Sequence, residues 1–173
     1  SDSNAGQDAE EEAGELKELN DSRKSMQNTG IAEAETMIMS GDHLKDNVIV
    51  IVIKDLHQSL AGIVAGKIKE EYYRPAFVLT ESGEDGILKG SGRSIDAYDM
   101  YEGMTECADL LLKFGGHRMA GGLSIKEENV DEFRQRLNSN CGLTSDDMKK
   151  VEHLDMELAA HCETNELTDE MLD

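Results

Sequence analysis

A chain of 173 residues with a formal charge of −20 is one domain, at most with a piece of a second, and its acidity argues against membrane surfaces and against indiscriminate nucleic-acid binding through bulk charge. The charge is uneven, with seven acids against one base in residues 1–19 and ten against two in residues 142–173, so the middle is nearer an ordinary protein and can hold a local basic groove. Cys107, Cys141 and Cys162 stand far apart with no Cys-x-x-Cys, which points to neither a zinc ribbon nor a disulfide framework. Reduced thiols in the cytoplasm fit this usage, and there is no long apolar run or signal peptide to imply a membrane.

Residues 1–7 are small and polar and are expected to lack structure. Residues 8–26 read as a helix with Leu16, Leu19 and Met26 on one stripe, Gly30 as its breaker, and residues 31–39 as a shorter second helix. Such a narrow stripe on an acidic helix fits a connector lying on another surface, or an ordinary amphipathic helix of the domain. Residues 48–53, Val-Ile-Val-Ile-Val-Ile, are apolar on both faces, which predicts a strand covered on both sides and central in a sheet. Ser59 is placed as the N-cap of a helix over residues 60–69. Its small residues Ala61, Gly62, Ala65 and Gly66 permit close packing on the sheet or close approach of a ligand. His57, just before that helix, is either an anion contact at the helix start or a loop-packing residue.

A second buried strand is expected over residues 76–80, entered from Pro75, and a hairpin partner over residues 87–95. Gly90 and Gly92 interrupt the alternation of this partner, which predicts a bulge or a backbone lying against a ligand. Lys89, Ser91, Arg93 and Ser94 put two cations and two hydroxyls on one short segment, and an arginine fork beside serine hydroxyls suits phosphate oxygens. Asp99 caps a helix predicted over residues 100–114, with Met104, Cys107, Ala108, Leu111 and Leu112 buried. A strand follows over residues 119–125 and an amphipathic helix over residues 127–137. Residues 151–158 are expected as a strand and 166–172 as a short helix, the opening of a further domain. The fold class is therefore α/β, a mixed sheet with helices on both faces.

The stretch Lys113-Phe-Gly-Gly-His-Arg-Met-Ala-Gly-Gly122 carries the densest chemistry. Amides of Gly115 and Gly116 beside His117 and Arg118, with Gly121 following, form a nest for a phosphate-sized anion, or else a helix cap and a tight bend. The histidines at 43, 57, 117, 153 and 161 make no acid/histidine cluster with metal-ligand spacing, so no metal site and no bound cofactor is expected on this chain.

Taken together and in order, Gly62-Ile-Val-Ala-Gly-Lys67 with Tyr72-Tyr-Arg-Pro75, then Gly90-Ser-Gly-Arg-Ser94, then Gly115-Gly-His-Arg-Met-Ala-Gly-Gly122 resemble the DHH-associated domain of the RecJ single-stranded-DNA-specific exonucleases, within the DHH phosphoesterase superfamily. The resemblance covers roughly residues 15–140, and the acidic tail resembles the entry to an oligonucleotide-binding-like domain. It divides the chain into connector residues 1–40, a DHH-associated domain over 41–141, and the start of an incomplete domain over 142–173. It implies a long N-terminal connector helix and an N-terminal DHH domain of the same full-length chain that binds Mn2+ or Mg2+. It also implies single-stranded DNA as partner and a part in 5'-3' exonuclease action in DNA repair and recombination, with this piece inactive alone. His117 is then the catalytic candidate, and Ser91, Arg93, Ser94, Gly115, Gly116, Arg118, Gly121, His57 and Lys89 the phosphate-binding candidates. A phosphodiesterase acting on short oligonucleotides or cyclic dinucleotides shares the Gly-Gly-His pattern, and a non-catalytic RNA- or nucleotide-binding module can use the same nest.

Overall fold

Val, Ile and Leu concentrated between residues 48 and 79 build the centre of this molecule, whose computed structural model describes the backbone of residues 2–149 and the side chains of residues 6–149. The elements run α1 (Asp2–Ser40), β1 (Ile49–Val52), α2 (Ala61–Tyr72), β2 (Ala76–Glu81), β3 (Ile87–Arg93), α3 (Met100–Glu106), β4 (Leu111–Gly116), β5 (Ala120–Lys126) and α4 (Val130–Asn140), with short 3-10 turns between several of them. The strands form one mixed sheet in the order β1-β2-β3-β5-β4, with β1 and β2 parallel and every other pair antiparallel. The strand and helix expected beyond residue 150 lie outside the described residues. Among the described residues no helix is long and apolar enough to cross a membrane.

The alternation of β1 and β2 divides the core in two. Val48, Val50, Phe77 and Leu79 face α3 and α4, joined by Leu88, Met100, Met104, Phe133 and Leu137, and the Phe77 and Phe133 rings meet edge to face at 5.4 Å. Ile49, Ile51, Ile53, Ala76 and Val78 face the other way, against Ala34 and Ile38 of α1 and Val64, Ala65 and Ile68 of α2. Helices thus cover both faces, as the two-sided apolar pattern requires.

That pattern does not make β1 central. It is an edge strand, paired only with β2; the helices on its two faces bury its side chains, and a side chain takes up the free edge at its start. Asn138 of α4 accepts from the Val48 N–H at 2.8 Å and donates to the Val48 carbonyl at 3.0 Å. The carboxamide supplies the pair of hydrogen bonds that a further strand would have made, which protects an otherwise adhesive edge.

Several local expectations change with the coordinates. α1 is one continuous helix from Asp2, taking in most of the stretch expected to lack structure, and Gly30 does not break it. A Cβ at Gly30 would lie 2.8 Å from Leu56 Cδ1, so this glycine lets α1 approach the domain. Ser59 is not the helix cap: His57 holds that place, its Nδ1 accepting from the Ser59 N–H at 3.2 Å ahead of a 3-10 turn that leads into α2. The helix predicted through residue 114 ends at Glu106, while the Asp99 cap expected at its start is present, accepting from Glu102 N–H at 3.1 Å. Leu111–Gly116 is strand β4, with a register shift between Leu111 and Lys113. The shift inserts a residue and puts Leu111 and Phe114 on one face, so a bulged strand imitates the three-residue spacing of a helix.

The β3 glycines do not mark a bulge either, since the β2–β3 register is unbroken from Ala76↔Arg93 to Glu81↔Leu88. A Cβ at Gly90 would sit 2.5 Å from the Val78 carbonyl oxygen, and one at Gly92 would sit 2.6 Å from Met100 Sδ and 2.8 Å from the Phe77 ring. Both positions are small because the core leaves them no room. Arg74, of the Tyr-Tyr-Arg-Pro segment, donates from Nη1 to the carbonyls of Leu44 and Asp46 at 2.7 and 2.8 Å. It fastens the stretch leading into β1.

Candidate nucleic-acid interface

The two glycine-rich motifs meet in the sheet. β3 pairs with β5 so that Ser91 lies opposite Gly122, Gly92 opposite Gly121 and Arg93 opposite Ala120. β5 pairs with β4 so that Gly122 lies opposite Gly115 and Gly121 opposite Gly116. Because side chains alternate between faces along a strand, Lys89, Ser91 and Arg93 share one side with Gly122, Ser124, Gly115 and Lys113. This side is continuous with the face covered by α2. Over β5 and β4 it is open, with Lys89, Lys113 and Gly115 exposed and Ser91, Arg93, Gly122 and Ser124 partly so.

The motif glycines separate into two groups. A Cβ at Gly121 would lie 2.4 Å from Met104 Cε, so that residue faces the α3 side and is small for packing. Gly116 has φ +139°, and a Cβ there would lie 2.4 Å from the Ala120 carbonyl oxygen, so the hairpin turn demands it. Gly115 and Gly122 have no such reason. A Cβ at Gly115 would meet nothing within 4 Å, and one at Gly122 only the Gly90 carbonyl oxygen at 3.6 Å. These two cross-strand neighbours make a bare patch of main chain on the open face, which the fold itself does not need.

Arg93 borders this floor on the α2 side. Its guanidinium passes over Gly62, where a Cβ would lie 2.5 Å from Nη2, and its Cγ would be 3.9 Å from a Cβ at Gly66. Gly62 therefore makes room for an arginine on the sheet, with Gly66 in ordinary contact beside it, and Arg93 Nη1 is steadied by donating to the Gly92 carbonyl at 2.7 Å. Ser91 lies beside the same turn of α2, 3.7 Å from where a Gly62 Cβ would be. His57 caps the turn at this end of α2.

His117 occupies the β4–β5 turn at the Arg93 end of the floor, its N–H donating at 2.8 Å to the carbonyl of Ala120, the residue paired with Arg93. Its Nδ1 accepts from the Met119 N–H at 3.2 Å. In the neutral ring the proton is then on Nε2, which is left to donate to an anion. Arg118 turns back instead: its Nη2 donates to the Asp96 carbonyl, and its own carbonyl accepts from Met100 N–H at 2.9 Å. Ser94 is not on this surface. It is 1% exposed, and its hydroxyl donates to the Tyr98 carbonyl at 2.6 Å inside the loop.

Two residues of this face were given no role by the sequence: Lys113 and Ser124. Treating residues 100–114 as helix hid the period-two relation that places Lys113 across from Ser124. Each aromatic residue of the chain lies elsewhere: Phe77, Phe114, Phe133, Tyr73 and Tyr98 with the core beneath α3 and α4, Tyr101 against Phe114, and Tyr72 against the opposite cluster. Among the described residues no group of three His, Cys, Asp or Glu is placed to hold a metal ion.

This is a mixed α/β domain whose open sheet face has a bare glycine floor, with Arg93, Lys89 and Lys113 around it and the His117 turn at one end. The chain belongs to the DHHA1 domain family, which matches residues 45–142. Among its relatives is the single-stranded-DNA-specific exonuclease RecJ of Bacillus subtilis (strain 168), 39% identical over 151 residues, covering 86% of this chain and 19% of the relative. RecJ of Escherichia coli (strain K12) is 37% identical over 132 residues, covering 72% of this chain and 23% of the relative. Of solved structures, an exonuclease RecJ bound to manganese superposes with a TM-score of 0.67 at 29% identity, over 82% of this chain and 34% of that one. RecJ from Thermus thermophilus in complex with Mg2+ superposes with a TM-score of 0.62 at 28% identity, over 73% and 19%. The chain is RecJ-like, and it spans about a fifth of the length of the curated relatives it matches.

Proposed function

We propose that the open face of β3, β5 and β4 grips single-stranded DNA by its sugar–phosphate backbone, as the substrate-holding domain of a RecJ-type 5'-3' exonuclease. The observation that carries this reading is the Gly115–Gly122 floor, bare for no internal reason and bordered by Arg93. Bare main chain admits a backbone to close range, and the guanidinium fork matches phosphate oxygens. With no aromatic on the floor, base stacking does not contribute and binding is indifferent to sequence.

Hydrolysis belongs, on this reading, to a separate DHH domain, to which the manganese and magnesium seen with the RecJ relatives are assigned. The described residues of this chain do not fit a metal. Its own contribution is to fix the strand and to offer the Nε2–H of His117 to a phosphate oxygen as negative charge builds there in the transition state. Incubating the 173-residue chain with labelled single-stranded DNA and Mn2+ is then expected to give binding without cleavage, and joining it to a DHH domain to restore cleavage.

The decisive binding measurement is fluorescence anisotropy with Arg93→Ala. Losing one charge-assisted contact costs on the order of 1.5–3 kcal/mol, roughly ten- to a hundredfold in Kd. Unchanged affinity in a folded Arg93→Ala variant would remove the reading. Preference for dinucleotides or cyclic dinucleotides over long strands would move the assignment to a short-oligonucleotide phosphodiesterase. Binding with no cleavage after the halves are joined would leave a binding module.

A further inference from the structure

The register places a second cationic row on the same face. Lys89 on β3 lies opposite Ser124 on β5, and Ser124 lies opposite Lys113 on β4. With strands about 4.8 Å apart, the two lysine Cα atoms are about 10 Å from each other, with a hydroxyl between them. The row sits four residues along β3 from Arg93, roughly 13 Å away, and the Gly115–Gly122 floor lies between. No acidic residue faces this side on β3, β5 or β4, in a chain with 37 acids. Among the described residues neither lysine forms a salt bridge, whereas nearby Lys54 is held by Glu127 at 2.9 Å.

Resting on the reading above that this face binds nucleic acid, we propose that Lys89, Ser124 and Lys113 form a second phosphate-binding station. The strand then runs along β3 and β5, over the glycines, from the Arg93 and His117 end to the lysine row. The two stations differ in kind. Arg93 is a planar fork packed against α2 and fixes a phosphate in place. The lysines are point charges on flexible stems and hold a strand without fixing its register. The lysine row therefore adds affinity only for strands long enough to reach it.

The test uses the 173-residue chain, with oligo(dT) of roughly twelve nucleotides and a thymidylate dinucleotide as probes. The variant is Lys89→Gln/Lys113→Gln. Its control is Lys45→Gln/Lys149→Gln, which removes the same charge from other parts of the surface. The station requires the first variant to weaken the long strand about tenfold or more and to lower the slope of log K against log salt by about 1.4, or ~0.7 for each lost contact to a single strand. Dinucleotide binding, held at Arg93, stays within twofold, and the control changes neither. Full retention of long-strand affinity and slope while Arg93→Ala weakens binding would overturn the second station alone. Equal weakening of both probes, or an equal effect of the control, would reduce the lysines to bulk charge and also overturn it. If neither Arg93→Ala nor the lysine variant affects any probe, the nucleic-acid reading of the face fails first.

Discussion

Replacing Gly115 and Gly122 by valine should make the protein more stable and a worse binder. A Cβ at Gly115 has nothing within 4 Å, and at Gly122 the nearest atom is the Gly90 carbonyl oxygen at 3.6 Å, an ordinary contact. Neither residue is among those with positive φ. Valine in a strand recovers the backbone entropy that glycine loses, about 0.5–1 kcal/mol. Two valines directly opposite each other on one face add about 0.2–1 kcal/mol as a β-branched pair. Over both positions the double variant should therefore gain roughly 1–3 kcal/mol, which raises Tm by several degrees in a domain of about this size. The same isopropyl groups stand where the strand is proposed to lie. Lifting it off the floor costs at least one phosphate contact, about 1.5–3 kcal/mol and so at least roughly tenfold in Kd.

Thermal unfolding and fluorescence anisotropy on one preparation give both quantities. A higher Tm with unchanged Kd would refute the floor as the binding surface. A lower Tm would refute the claim that the fold has no use for these glycines. Gly90→Ala on the neighbouring strand is the internal comparison. Its Cβ would press on the Val78 carbonyl oxygen at 2.5 Å and Leu79 Cδ2 at 2.4 Å, an overpacking cost of about 1–3 kcal/mol, so its Tm should fall.

Other perturbations have definite signs. Asn138→Ala exposes no new apolar core but leaves the Val48 N–H and carbonyl without the partners they have at 2.8 and 3.0 Å; the denaturant midpoint should drop by an amount equal to about 1–3 kcal/mol, and a loss below ~0.5 kcal/mol would show that water replaces the side chain. Glu71 has its pKa raised above 4.5 by a hydrogen bond to Glu35, and next by burial. The folded state thus holds this proton more tightly, and the stability it contributes is complete below about 4.5 and lost as pH rises through the folded value. Glu71→Gln should accordingly raise Tm at neutral pH with no gain below pH 4.5, and a gain independent of pH would dismiss the carboxyl pair. In the chain joined to a DHH domain, as proposed above, His117→Ala should lower kcat more than it weakens binding, because the charge it meets grows in the transition state; equal losses would make it a grip residue.

The elements that were legible in the sequence are those whose pattern follows from burial alone. β1 and β2 are apolar on both faces because helices cover both faces, and Asp99 caps α3 as its side chain and position dictate. Long-range facts were hidden. Nothing in residues 48–53 distinguishes a central strand from an edge strand covered by a carboxamide ninety residues later. Nothing in Leu111 to Phe114 distinguishes a helical turn from a bulged strand, and that ambiguity concealed Lys113. Ser94 looked like a phosphate ligand beside Arg93, but the loop after β3 turns its hydroxyl inward.

Glycine is where the sequence is least able to speak for itself, because the same residue answers four different demands here. At Gly90, Gly92 and Gly121 it yields space to core side chains or neighbouring main chain, and at Gly62 it yields space to Arg93. At Gly116 it takes up a backbone angle other residues avoid. Among the glycines of the sheet, only Gly115 and Gly122 are left without an internal cause. A strand position that pays the entropic cost of glycine and gains nothing in packing or conformation leaves room for a group from outside the fold, which is what the proposed binding face uses. That the two unexplained glycines are cross-strand partners, on the face that also holds Arg93, Lys89 and Lys113, turns a shared motif into a surface with a definite floor and edges.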